Sequence, residues 1–330
     1  MIWSPILLAS LLLAAGEKPV KSTEGLEARW RGEYPRAAEE WEAVARDFVA
    51  KGRFSYRWNN GSTTITPKLT VASSGKKRLF VKEDNRTQIP GSPDRLLGSV
   101  VYVQTPDLQF DLKKAPSSKH YIISDYQRNE EDSESQFNYW YKKFARNATV
   151  YWGISFLDRM RDPSFALHSI EAVKRDAGDL VRIVYAYEGK YSFESGAVEL
   201  DPDKNWAIRL VDIDTKGKKD GFPSHLKIEV GYRKIDGKRF FPTRMESFDR
   251  TAKPEIFSHA TLELDQVTLG GVSDDLFRMS TYGVPDMPLT PEARASVFTF
   301  RNPIFWLALL TAVASFTLLW VLRSRRDRVQ

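Results

Sequence analysis

The sequence predicts an α+β fold that is mostly β: a large antiparallel sheet, packed by an N-terminal helix and a middle helical segment, then one C-terminal transmembrane helix. Three observations predict it. Apolar residues recur with a period of two over most of residues 53–282, punctuated by Gly, Asn-Gly and Asp-Gly turns. A helical period appears twice, around Trp41 and around Trp140. An uncharged run of 19 residues lies near the C-terminus and is followed by four arginines.

The first helix is expected over residues 35–50. Trp41, Val44, Ala45 and Phe48 fall on one face, with Gly52 as the C-terminal cap. Residues 23–31 add at most a short helical turn. From Arg53 the period becomes two. Residues 54–58 run into Asn59-Asn60-Gly61, which tolerates the positive φ of a type I′ hairpin turn. Residues 69–71 and 79–81 flank Ser73-Ser74-Gly75-Lys76, and strands follow at 99–103, 108–112 and 120–124. A second helix is marked by Phe137, Trp140, Tyr141 and Phe144, with acids before it and Lys142, Lys143 and Arg146 in its last turn. Residues 150–160 extend that helix or form a further short one. Eight more strands are expected, at 165–173, 180–187, 196–200, 206–213, 226–233, 239–247, 259–269 and 277–282. In the clearest of them Leu226, Ile228, Val230 and Tyr232 face one way and Lys227, Glu229 and Arg233 the other. One packed face and one wet face imply antiparallel pairing.

The two ends set the topology. Residues 1–16 carry no charged side chain, and the apolar run 6–15 suits the core of a secretory signal cut after Gly16. Residues 17–34 read as a linker or short helix, 35–283 as the exported domain and 284–303 as a Pro-containing stalk. Residues 304–322, opening with Ile304 and closing with Leu322, reach about 28 Å as a helix, which matches a bilayer core. Arg323, Arg325, Arg326 and Arg328 mark the cytoplasmic side, so residues 323–330 form a basic tail and the domain lies outside, in the periplasm. That tail holds +3 of the formal net charge of +6. The basic balance is therefore a topology signal, and nucleic acid is not an expected partner.

Within its 330 residues the chain has no cysteine, which excludes disulfides, thiolate metal sites and a thiol nucleophile. Its 28% charged and 12% aromatic residues exclude a disordered chain. His120, His168, His225 and His259 are isolated in sequence and give no metal motif. Ser73-x-x-Lys76 matches a serine–lysine pattern but straddles a glycine turn, where the lysine cannot return one helical turn later. Asp201, Asp203 and Asn205 have calcium-loop spacing, yet Trp206 stands where such a loop needs glycine. Asn60, Asn85 and Asn147 sit in N-x-[ST] triplets, which arise often by chance and would be surface sites if the host glycosylates. No catalytic residue, cofactor or metal is expected, and the protein is read as not an enzyme.

The densest signal is aromatic. Phe137, Trp140, Tyr141, Phe144, Trp152 and Phe156 gather in one helical region. They form either helix-on-sheet core or one wall of an apolar ligand cavity. With residues 54–58, 69–81, 108–112, 198–202, 206–210 and 277–283, the arrangement resembles the outer-membrane lipoprotein carrier (LolA/LolB-like) superfamily over roughly residues 35–283. The resemblance implies a curved half-barrel sheet whose helices line a cavity for acyl chains; it carries over no site residue. The expected function is a single-pass envelope protein whose exported domain binds a lipid or lipoprotein acyl chain. A partner protein in the envelope is expected too, because the short tail has no room for a signalling domain. The other reading is an interaction or sensor module with a filled core.

Overall fold

A computed structural model describes residues 24–58, 61–128, 148–151, 154–176, 178–189, 192–217, 223–252 and 255–287. Helix α1 (Glu24–Val44) leads into β1 (Asp47–Trp58), β2 (Thr63–Ser74), β3 (Lys77–Gln88), β4 (Arg95–Gln104), β5 (Leu108–Lys114) and β6 (Ile122–Arg128). A two-strand ladder of β7 (Val150–Tyr151) and β8 (Ile154–Ser155) precedes the short helix α2 (Phe156–Arg161). Then come β9 (Ala166–Arg175), β10 (Gly178–Glu188), β11 (Ser192–Asp201) and β12 (Ala207–Gly217). The last three strands are β13 (Pro223–Ile235), β14 (Arg239–Ala252) and β15 (Glu255–Leu269).

Thirteen strands make one open antiparallel sheet in the order β6-β5-β4-β3-β2-β1-β15-β14-β13-β12-β11-β10-β9. The chain starts at the middle of the sheet and meanders out to the edge at β6. It crosses to the opposite edge at β9 and meanders back until β15 pairs with β1, Phe54 opposite Leu262. The local reason is repeated hairpin chemistry. At the β13–β14 connection Asp236 and Gly237 both have positive φ, 51° and 72°, as the two central residues of a primed turn require.

Helix α1 lies on one face. Trp30, Tyr34, Ala37, Ala38 and Trp41 form its buried stripe, while Arg29–Glu33, Glu27–Arg31 and Arg36–Glu40 pair along its wet side. The expected start at residue 35 is thus corrected: residues 24–34 belong to the same helix, which runs through Pro35. Burial of Trp30 and Tyr34 outweighs the hydrogen bond that Pro35 forfeits. The helix also ends earlier than expected, because Phe48 and Ala50 are strand residues paired with Leu269 and Val267. Gly52 is no helix cap. A Cβ there would come within 1.9 Å of the Glu263 carbonyl oxygen, so Gly52 permits a bulge where β1 meets β15.

The α1 face carries the larger core, including Phe48, Phe80, Val181, Val198, Ile213 and Leu226. The opposite face of the first half carries a second core of Leu79, Val101, Val103, Phe110 and Leu112. Phe277, Met279 and Val284 cover it from two 3-10 turns, Asp274–Phe277 and Met279–Tyr282, and the segment after them. The strand expected at 277–282 is therefore absent, since Ser273 caps a tight turn by accepting from Asp275 N–H. The folded domain includes Val284, at the start of the expected stalk. Residues 304–322, the expected transmembrane helix, lie outside the described residues, and among the described residues no helix is long and apolar enough to cross a membrane.

Candidate functional site

Of the six aromatic residues named from the sequence, Phe137, Trp140, Tyr141, Phe144 and Trp152 lie outside the described residues. Phe156 is fully buried between α1 and the sheet. Its ring is 5.6 Å from Tyr34, 5.7 Å from Tyr185, 6.1 Å from Phe165 and 6.4 Å from Trp30. It packs as a core residue.

Beside it sits a buried ionic cluster that sequence reading missed. Arg159 Nε and Nη2 donate to Glu194 at 2.9 and 3.1 Å, and Nη1 donates to the Ile154 carbonyl at 2.6 Å. Both side chains are sealed from solvent, at 0% and 1% exposure. The guanidinium also lies 3.8 Å from the Tyr151 ring centroid, and Tyr151 and Tyr185 share a short hydroxyl contact. Burial works against the Arg159 charge, but Tyr151 and Glu194 together hold its pKa above the ordinary value. The pair joins α2 to β11, because Arg159 lies in α2 and Glu194 in β11.

Further along the α1 face, in the first half of the sheet, Phe54, Leu69, Val71 and Phe80 continue the apolar surface. Lys82 lies among them, its Nζ 5.6 Å from the Phe54 ring and 5.2 Å from the Phe80 ring, and burial lowers its amine to about 8. Near the β6 edge Asp111 stands directly opposite Asp125. Burial first, then the Asp125 charge, pushes the Asp111 carboxyl up to about 6.

The opposite face of the second half is a mosaic of charge. Arg175–Glu199, Lys227–Glu229 and Arg244–Glu246 pair across it. A groove of about 560 Å³ runs between them, lined also by Arg209 and Asp212. An acyl chain does not suit such walls. His225 lies between Asp212 and Asp214 on this face, while His259 stacks on Phe248 at 4.2 Å and contacts Glu246 at 3.0 Å. His120 and His168 stand on other strands or loops. Among the described residues no group of three or more acidic or histidine side chains gathers as a metal site.

The weaker motifs fall into place. Ser73, next to last in β2, donates to the Arg46 carbonyl at 2.9 Å, while Lys76 stays in the turn. Asp201 caps the 3-10 turn Pro202–Lys204. The following Asn205 and Trp206, both at positive φ, are held by α1. Trp206 Nε1 donates to Glu33 and Asn205 Nδ2 to Glu40. Asn85 is 5% exposed and bonded to Thr66, which corrects its reading as a surface acceptor.

The apolar exposure is concentrated at one end of the sheet. Trp58, Ile89, Leu96, Leu97 and Ile122 are 45–66% exposed. By register they share the end formed by the β1–β2, β3–β4 and β5–β6 connections. A partial signal existed in the sequence: the adjacent pair Leu96-Leu97, one residue after the turn residues Pro90–Asp94, breaks the period of two, so both cannot point into one core face.

No protein-family model matches the chain, and no curated protein matches it. Among solved structures, a crystal structure of MucB in complex with the periplasmic part of MucA aligns with 74% of this chain and 99% of its own. The identity is 9% and the TM-score 0.12, a likeness that carries no weight for fold or function.

Proposed function

We propose that the chain is a non-catalytic, membrane-anchored envelope protein. In this reading residues 17–283 are exported to the periplasm, residues 304–322 hold them to a membrane, and the α1 face of the sheet binds a lipid or lipoprotein acyl chain. The supporting observation is the extent of that face. Thirteen strands at about 4.8 Å spacing span roughly 58 Å, whereas the 21 residues of α1 reach about 31 Å. The apolar side chains of that face continue into the first half of the sheet through Phe54, Leu69, Val71 and Phe80, each at most 3% exposed. This extended apolar wall on an open sheet is what a LolA-like acyl-chain carrier needs.

A second reading, a filled interaction or sensor module that works with a partner protein in the envelope, draws on the other half. There Trp30, Tyr34 and Phe156 pack between α1 and the sheet with no solvent exposure. The full chain, expressed in an exporting host, separates the two readings. Stoichiometric lipid on native mass spectrometry and organic extraction, with uptake of a fluorescent fatty acid that Trp140→Ala or Phe144→Ala weakens without unfolding, supports the carrier. A bare polypeptide mass and no uptake supports the filled module.

A further inference from the structure

We propose that the hairpin end of the first half of the sheet, bearing Trp58, Leu96 and Leu97, seats on an anionic phospholipid surface. The proposal rests on the anchored reading above only for the presence of a bilayer beside the domain.

Every large apolar side chain that is strongly exposed among the described residues lies at one end of the thirteen strands. Five belong to the first half: Trp58, Ile89, Leu96, Leu97 and Ile122. The sixth, Phe193, starts β11 at the same end of the second half. Scattered single hydrophobics need no explanation, but a one-ended set does. The opposite end, at the β2–β3 turn, presents Gly75 and Lys76.

The geometry of this end is that of an inserting tip. The β4–β5 pairing begins at Ser99, whereas β4 continues to pair with β3 through Leu96 and Arg95. The β3–β4 hairpin therefore projects beyond β5. It is braced by its neighbour, since a Cβ on Gly61 of the β1–β2 hairpin would stand 3.0 Å from Pro90. Trp58 is oriented by an edge contact with Tyr56 at 4.6 Å. A rigid projection with a tryptophan and a leucine pair is suited to the headgroup boundary of a bilayer.

Charge selects the lipid. Arg57, Arg95, Lys113 and Lys119 are exposed around the apolar tip, and Asp94 is held within the hairpin by Gln88 at 3.0 Å. Basic side chains flanking an apolar tip lay their stems along it and present their charge at phosphate depth. Each is worth about a fivefold gain in affinity for an anionic surface. A protein partner would satisfy the apolar residues equally well, and the test separates the two.

The absence of cysteine makes the test clean. The full chain carries Leu97→Cys, or Lys76→Cys as the far-end control, labelled with an environment-sensitive fluorophore. Each is reconstituted into phosphatidylcholine vesicles with or without phosphatidylglycerol, and lipid-borne nitroxide quenches the label. The label at 97 is expected to shift blue and be quenched only with phosphatidylglycerol, with Arg95→Gln lowering the docked fraction about fivefold; the label at 76 stays water-like. A water-like label at 97 in both vesicles overturns the proposal and favours a protein partner. Equal quenching at 97 and 76, or quenching at 97 without phosphatidylglycerol, overturns it as well. Flotation keeps the anchored reading separate. A chain that fails to float with vesicles lacks the anchor, and a label at 97 that still responds to added phosphatidylglycerol vesicles upholds the docking alone.

Discussion

Replacing Glu194 with Ala removes the carboxylate that neutralises Arg159 at a point where neither side chain touches solvent. Two parallel hydrogen bonds at 2.9 and 3.1 Å disappear. The guanidinium keeps the carbonyls of Ile154 and Tyr151, at 2.6 and 3.3 Å, and the rings of Tyr151 and Tyr187. An uncompensated buried charge costs about 3–5 kcal/mol, and those surviving partners place the loss near 3. For a domain of this size that lowers the thermal midpoint by roughly 6–12 °C. The double variant Arg159→Met/Glu194→Leu removes the charge together with its partner and is expected to recover to within about 1 kcal/mol of the parent. Urea denaturation followed by tryptophan fluorescence measures all three proteins. A single variant that loses less than about 1 kcal/mol, or a double variant no better than the single one, would refute the view that burial of the pair sets the cost.

Gly52→Ala is expected to cost about 3 kcal/mol, the upper end for overpacking, because its Cβ would sit 1.9 Å from a β15 carbonyl oxygen; a loss of less than about 1 kcal/mol by denaturation would show that the bulge relaxes freely. Asp111→Asn tests the raised carboxyl. Its folded pKa of about 6 lies above the ordinary 3.8, so the stability it lends is full below the unfolded pKa and lost as pH rises through 6. The Asn variant should be more stable at pH 7 by about 1 kcal/mol after solvent screening. That gain should vanish as pH falls from 6 to 4, and a pH-independent gain would argue against the mechanism. Phe277→Ala, at a site 4% exposed, is expected to cost about 3–5 kcal/mol. Hydrogen exchange should quicken in β3–β5 and not in β10–β13, whereas uniform loosening would mean the two cores do not act separately.

The strands were legible because a sheet with one wet face writes its burial into alternate residues. Leu226, Ile228 and Val230 are buried in β13 as their period of two predicts. Hairpins were legible where Asp236-Gly237 supplied two positive φ values locally. Phe48 misled because it continues the helical period of Trp41 and Val44, while its pairing with Leu269, more than two hundred residues away, decides its conformation. Gly52 misled for the same reason, since a helix cap and a close strand approach both ask for glycine and only the neighbour tells them apart. The Arg159–Glu194 pair could not be read, because 35 residues separate charges that look solvated in isolation.

An antiparallel, mostly β domain beginning with an amphipathic helix is written in local patterns, because period, turn chemistry and helix patterning act over a few residues. Tertiary structure alone decided that β1 closes against β15, which charges are buried in pairs, and that the exposed apolar residues collect at one end of the sheet. Those facts depend on contacts between distant segments, whose energies no local stretch of sequence contains.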